Sequence, residues 1–235
     1  MAFNGNVAEN DPDEYFENFE KSTDPNRPNL RILVVGLDGS GKTAFIDCME
    51  KGKKENVEPE PSGPGSLGIT TVTIGDTQFD FWDVSGSESA RKKWGNYVKQ
   101  DPRVIVWVVD STVDSTGSEA RLQENSDALR EFLSLEVTKD IPVLFVANKQ
   151  QPIIPTSEKY WVGKEAKNKP GFEIPLHFSD CKNALSPQEV LQKIKAKDII
   201  NNSRQYKTVG TEIPPGLRAR KGIFQAYQYI KLLGS

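Results

Sequence analysis

Sulfur and imidazole chemistry are nearly missing from this chain of 235 residues. Two cysteines, Cys48 and Cys181, stand in unrelated contexts, which leaves a disulfide scaffold or a zinc site without support and points to a reducing compartment. His177 is the single histidine and lies on a predicted strand, where it reads as a core or edge residue rather than a catalyst. The longest apolar run, Val104 to Val109, is far too short to cross a bilayer. Met1 to Phe16 is acidic and has no apolar centre, so an export signal is not expected. No internal repeat is visible. What the chain does have is 36% hydrophobic and 27% charged residues, the balance of a soluble α/β domain with extensions.

The net charge of −3 is unevenly spread. Residues 1–28 hold seven acids against Lys21 and Arg27, whereas residues 201–235 hold six bases against Glu212. The first stretch, with three prolines between Asn4 and Pro28 and no sustained periodicity, reads as a flexible or partner-ordered arm. The implied organisation is an acidic arm over 1–28, a domain over 29–200 and a basic extension over 201–235. In that extension Ile223, Phe224, Tyr227, Ile230 and Leu233 would stripe one face of a short helix, either for a partner groove or for packing on the chain's own domain.

Within the domain, apolar periodicity alternates between strand and helix. Arg31 to Val35 is a buried strand type and Gly41 to Lys51 has helical spacing. Ile69 to Ile74, a Gly75-Asp76 turn and Thr77 to Val84 form a hairpin candidate. Val104 to Val109 and Ile141 to Ala147 are uninterrupted apolar runs, as expected of central parallel strands buried on both faces. Leu122, Leu129, Phe132, Leu133 and Val137 mark a helix between them. Further helices are predicted over Ser157 to Lys167 and Ser186 to Ile199, and a short last strand over Ile174 to Phe178. Trp161 and Tyr160 read as packing residues of the first of these helices. The expected architecture is a mostly parallel sheet wrapped by helices, with an antiparallel edge from the hairpin.

Three motifs fall at strand ends. Gly36-Leu-Asp-Gly-Ser-Gly-Lys-Thr43 fills the pattern GxxxxGK[ST] between a strand and a helix, the context in which that pattern cradles phosphate. Polyphosphate oxygens need converging backbone N–H groups, and Gly39 and Gly41 let the backbone wrap closely. The helix adds its positive end. Lys42 supplies a point charge and Thr43 a hydroxyl for Mg2+. The residues that would hold phosphate are therefore Asp38, Gly39, Ser40, Gly41, Lys42, Thr43 and Ala44. Asp83-Val-Ser-Gly86 ends the hairpin's second strand, placing Asp83 to hold Mg2+ through water and the Gly86 amide to meet a terminal phosphate. Asn148-Lys-Gln-Gln151 follows another strand, where Asn148 and Lys149 could frame a purine base.

These motifs, in this order, resemble the ADP-ribosylation factor and factor-like small GTPases. Gly36-Leu-Asp-x-x-Gly-Lys-Thr43 matches that family's phosphate loop, and Trp82-Asp-Val-Ser-Gly86, Arg91, Trp94 and Tyr97 match its following block without a gap. Roughly Asn29 to Ile199 is covered. The resemblance implies a Ras-like P-loop NTPase domain: a mostly parallel six-stranded sheet with one antiparallel edge strand and helices on both faces. It also implies a GTP/GDP cycle with Mg2+, two switch loops, and a hairpin between them that can shift register. It puts the loop that holds the base by backbone amides at Ser179-Asp-Cys181-Lys182; a plain buried thiol is the other reading of Cys181.

The departures shape the expectation. Ser87 stands where the family has Gln, and its short hydroxyl cannot orient an attacking water, so intrinsic hydrolysis is expected to be slow or absent. Gln151 stands where the family has Asp; a carboxamide offers one acceptor and one donor where a carboxylate accepts twice, which weakens guanine selectivity. Ser66 best matches the family's switch-one Thr as a metal ligand, with Thr70 or Thr71 as alternatives. Ala2 replaces the Gly required for myristoylation, and an acidic arm is repelled by anionic lipid. Two readings follow. One is a cytoplasmic Arf-like nucleotide-binding module, at most a slow GTPase, that meets protein effectors or an assembly through the Ile69–Val84 hairpin and the terminal extensions, with no nucleic acid and no myristoyl anchor. The other is a pseudo-GTPase that serves as a structural subunit without a GTP cycle.

Overall fold

The computed structural model describes residues 28–51, 67–74, 76–112, 118–150, 184–200, 204–213 and 221–234. Its strands are β1 (Asn29–Val35), β2 (Leu67–Ile74), β3 (Thr77–Val84), β4 (Val104–Asp110), β5 (Val143–Asn148) and β6 (Tyr206–Gly210). Its helices are α1 (Lys42–Lys51), α2 (Glu88–Arg91), α3 (Trp94–Val98), α4 (Ser118–Leu133), α5 (Pro187–Lys193), α6 (Ala196–Ile199) and α7 (Ile223–Gly234), with a 3-10 turn at Glu136–Thr138. The strands form one six-stranded sheet in the order β2-β3-β1-β4-β5-β6. Only β2 and β3 pair antiparallel; every other neighbouring pair is parallel. This is the Ras-like α/β arrangement expected from the motifs.

The two faces of the sheet follow from the two-residue period of a strand. Ile105, Trp107 and Val109 point to one side with Val143, Phe145 and Ala147, against α3, α4, α5 and α6. Val104, Val106 and Val108 point to the other with Leu144 and Val146, against α1 and α7. Because both faces are covered, β4 and β5 read as continuous apolar runs. On the first side Trp94 meets Trp107 edge-on at 5.6 Å and Phe132 at 5.5 Å, and its indole N–H donates to Ser85 O at 3.0 Å. The start of α3 is thereby fixed beneath the loop that follows β3.

The C-terminal part of the chain differs from the sequence expectation. The strand expected at 174–178 and the helix expected at 157–167, with Trp161 and His177, lie outside the described residues. Beside β5 runs Tyr206–Gly210, which the sequence reading did not mark as a strand, with Val143 opposite Tyr206 and Ala147 opposite Gly210. The apolar stripe of α7 is turned inward: Ile223, Ala226, Tyr227, Ile230 and Leu233 are all buried. Tyr227 packs edge-on against Phe79 at 5.6 Å, and Lys231 bonds Asp76 at the hairpin turn at 3.0 Å. Sheet and covering helices thus run on to Gly234, past residue 200, where the resemblance had ended. The helix offers Ile223, Tyr227, Ile230 and Leu233 to its own sheet, and Phe224 of the expected stripe is partly buried against the same core. Among the described residues no helix is long and apolar enough to cross a membrane.

Candidate functional site

The carboxyl ends of β1, β3, β4 and β5 converge on one edge, where ligands of open α/β sheets bind. From β1 the chain turns through Gly36–Gly41 into α1. Gly41 has φ +92, and a Cβ there would lie 2.2 Å from Asn148 Nδ2, so only glycine lets the loop pass this closely to the end of β5. Lys42 is 7% exposed, and its ammonium donates to Gly36 O and Leu37 O, each at 3.1 Å. Two of its three protons are thereby used to shape the loop, and one donor remains for an anion. Burial pulls the Lys42 pKa below its ordinary value, while Asp83 and then Asp38 push it back up.

Across from the lysine, Asp83 sits near the end of β3, paired with Val34 of β1. The Thr43 hydroxyl donates to Asp83 Oδ2 at 2.5 Å. A hydroxyl and a carboxylate oxygen side by side, next to a phosphate cradle, are the hard donors that Mg2+ takes. The set fits that ion. Among the described residues no cluster of three or more His, Cys, Asp or Glu side chains offers an all-protein metal site. Ser66 lies outside the described residues. Of its alternatives, Thr71 bonds Asp80 at 2.8 Å, and the β2 residue opposite Asp83 is Gly68. Neither Thr70 nor Thr71 is therefore the hairpin residue at the level of Thr43.

Gly86 is buried against the phosphate loop: a Cβ on it would lie 2.3 Å from Gly36 O and 2.5 Å from Asp38 N. Ser87 caps α2, its hydroxyl accepting from Ala90 N at 3.4 Å and from Ser85 Oγ at 3.3 Å. Arg91 Nε donates to Gly86 O at 3.0 Å, and its terminal nitrogen pairs with Glu124 of α4. Glu124 also accepts from Arg121 at 2.7 Å, and Arg121 donates to Asp38 O. Sequence reasoning quoted Arg91 only as a family match and missed Arg121 and Glu124. Their one local signal is their i, i+3 spacing on an amphipathic helix.

At the end of β5, Asn148 is 2% exposed and joins two loops: Nδ2 donates to Ser40 O at 2.8 Å, and Oδ1 accepts from Thr211 Oγ1 at 2.9 Å. Lys149 has φ +61 and bonds Asp110 Oδ2 at 2.5 Å. Gln150 donates to Ser111 Oγ at 2.7 Å and Leu185 O at 2.6 Å. Gln151, Cys181 and Lys182 lie outside the described residues. The residue brought to Asn148 from beyond the last strand is Thr211, fully buried, whose amide also donates to Ala147 O at 2.9 Å. A Val-Gly-Thr sequence closing a short strand was its only signal, and the strand itself went unpredicted.

A family model of the ADP-ribosylation factors matches residues 16–160. ADP-ribosylation factor-related protein 1 of Rattus norvegicus is 33% identical over 123 residues, which cover 51% of this chain and 58% of that protein. ADP-ribosylation factor-like protein 3 of Caenorhabditis elegans is 30% identical over 135 residues, covering 57% of this chain and 68% of that protein. The match to the first thus spans under two thirds of its length. Among solved structures, the Arl6 (BBS3) small GTPase of Trypanosoma brucei with the bound nucleotide analogue GppNp superposes with a TM-score of 0.60. At 18% identity it covers 88% of this chain and 97% of that one, a likeness of fold.

Proposed function

Because the chain belongs to the ADP-ribosylation factor family, we propose that it binds GTP or GDP with Mg2+ at the Gly36–Thr43 loop, and that the bound nucleotide sets the surfaces protein partners read, with little or no hydrolysis of its own. The observation that carries this reading is the convergence of Lys42, Thr43 and Asp83 at one end of the sheet, with Thr43 Oγ1 2.5 Å from Asp83 Oδ2. Lys42, held by two carbonyls of its own loop, directs its remaining donor at phosphate. Thr43 and Asp83 hold Mg2+, which supplies charge neutralisation at the outer phosphates. Asn148 and Lys149 frame the base, with Thr211 fixing the Asn148 amide so that its orientation does not drift. A partner would read the hairpin over Ile69–Val84, where Ile69 is 57% exposed on the outermost strand. We place this activity in the cytoplasm, in keeping with two unrelated cysteines and an acidic arm.

A second reading, a pseudo-GTPase that serves as a structural subunit of an assembly without a GTP cycle, is favoured by Ser87 and Gln151. The Ser87 hydroxyl is already engaged in capping α2 and is too short to orient an attacking water. The first reading needs the phosphate cradle. Lys42→Ala, purified beside the wild type in Mg2+, is expected to lose the retained nucleotide; equal nucleotide content in the two proteins would defeat the proposal.

A further inference from the structure

Five residues from three separate parts of the chain, Asp38, Gly86 with Arg91, and Arg121 with Glu124, close a ring beside the phosphate loop. Arg91, the last residue of α2, gives Nε to Gly86 O at 3.0 Å and a terminal nitrogen to Glu124 Oε1. Glu124 takes Arg121 on its other oxygen at 2.7 Å. Arg121 donates to Asp38 O in the phosphate loop. Gly86 rests on Leu37 and Asp38, where even a methyl group would overlap the backbone, so the ring is complete.

Each arginine therefore orients one peptide group. In a trans peptide the carbonyl and the following N–H point in opposite directions. Holding Asp38 O toward α4 aims the Gly39 N–H away from α4, and holding Gly86 O toward Arg91 fixes the loop that leads to α2. Glu124 touches neither segment. It keeps two guanidinium groups together that would otherwise repel each other at short range. Burial raises the Glu124 pKa, but the hydrogen bonds from Arg91 and Arg121 outweigh it and hold the carboxyl below its ordinary range, as expected of a carboxylate bound on both oxygens.

We propose that Glu124 is a positioning residue that sets the preference for triphosphate over diphosphate, by holding Gly86 and the Asp38–Gly39 peptide, through Arg91 and Arg121, where a third phosphate reaches them. This rests on the nucleotide reading above. The first two phosphates are served chiefly by Lys42 and the start of α1, to which Arg91, Arg121 and Glu124 make no hydrogen bond. A third extends toward the end of β3 and Gly86, which the ring does hold. Loss of Glu124 then weakens triphosphate binding selectively, by roughly tenfold, the size of an ordinary coupling between sites.

The experiment is competition of GTP and GDP against a fluorescent GDP analogue on the full chain in Mg2+. The variants are Glu124→Gln, Glu124→Asp and Arg91→Gln/Glu124→Gln. Glu124→Gln is expected to lower the GTP:GDP affinity ratio about tenfold with GDP affinity unchanged. Glu124→Asp is expected to recover part of the ratio. The double variant is expected to be no worse than Glu124→Gln, because the two residues act through one ring. An unchanged ratio, or equal weakening of both nucleotides, would overturn the role of Glu124 while leaving the nucleotide reading intact. A wild type that binds neither nucleotide would overturn both.

Discussion

At the scale of single residues, the site is a set of polar groups whose freedom is already spent on one another. Lys42, Asn148 and Gln150 each bind two protein acceptors or partners, so little rearrangement is left to do when an anion arrives. Ser87 is different. Its hydroxyl caps a helix of four residues, and no amide reaches from this position toward an attacking water. Ser87→Gln is expected to raise single-turnover GTP hydrolysis by about tenfold or more, since positioning a reacting group is commonly worth that much; an unchanged rate would mean that the missing amide is not what limits turnover. The phosphate loop was legible in the sequence because all of its chemistry lies within eight consecutive residues, and Asp83 and Asn148 because each ends an unmistakable strand. Thr211 and the Arg121–Glu124 pair were not, since nothing local marks a residue whose partners are 63 or 83 positions away.

Among elements, α7 and β6 carry the lesson. The periodicity of Ile223, Tyr227, Ile230 and Leu233 predicted a helix with an apolar face, which is what forms. Periodicity alone could not say which surface would cover that face. The described structure answers with Phe79, the β4 and β5 side chains and α1. Ile230 is fully buried there, so Ile230→Ala is expected to cost about 2–5 kcal/mol of folding stability. A lower denaturation midpoint at unchanged slope would report that loss. A cost below about 0.5 kcal/mol, the level of ordinary surface substitutions, would mean that α7 does not pack on the sheet. The short strand β6 went unseen because only Val209 of its five residues is deeply buried, too little to print a pattern.

For the molecule as a whole, residues 151–183 separate β5 from the elements that complete the sheet. The family match ends at residue 160, within that stretch, while the described fold resumes at Ala184 and continues to Gly234. The strand expected at 174–178 and the base-binding loop expected at 179–182 lie in this stretch, outside the described residues, and the strand described beside β5 is Tyr206–Gly210. The fold class was legible because the central strands, their parallel pairing and the antiparallel hairpin edge are dictated by β1 to β5. The opposed charges at the chain's ends acquire a partial explanation: Lys221 and Lys231, two of the C-terminal bases, pair within the domain with Glu212 and Asp76.

The central claim, that this fold holds guanine nucleotide, is tested most directly by denaturing the full chain after purification in Mg2+ and identifying what is released. About one equivalent of GDP or GTP per chain is expected, since tight complexes owe their affinity mostly to slow release. Release of adenine nucleotide, or of none together with no heat on titrating GTP or GDP, would contradict it.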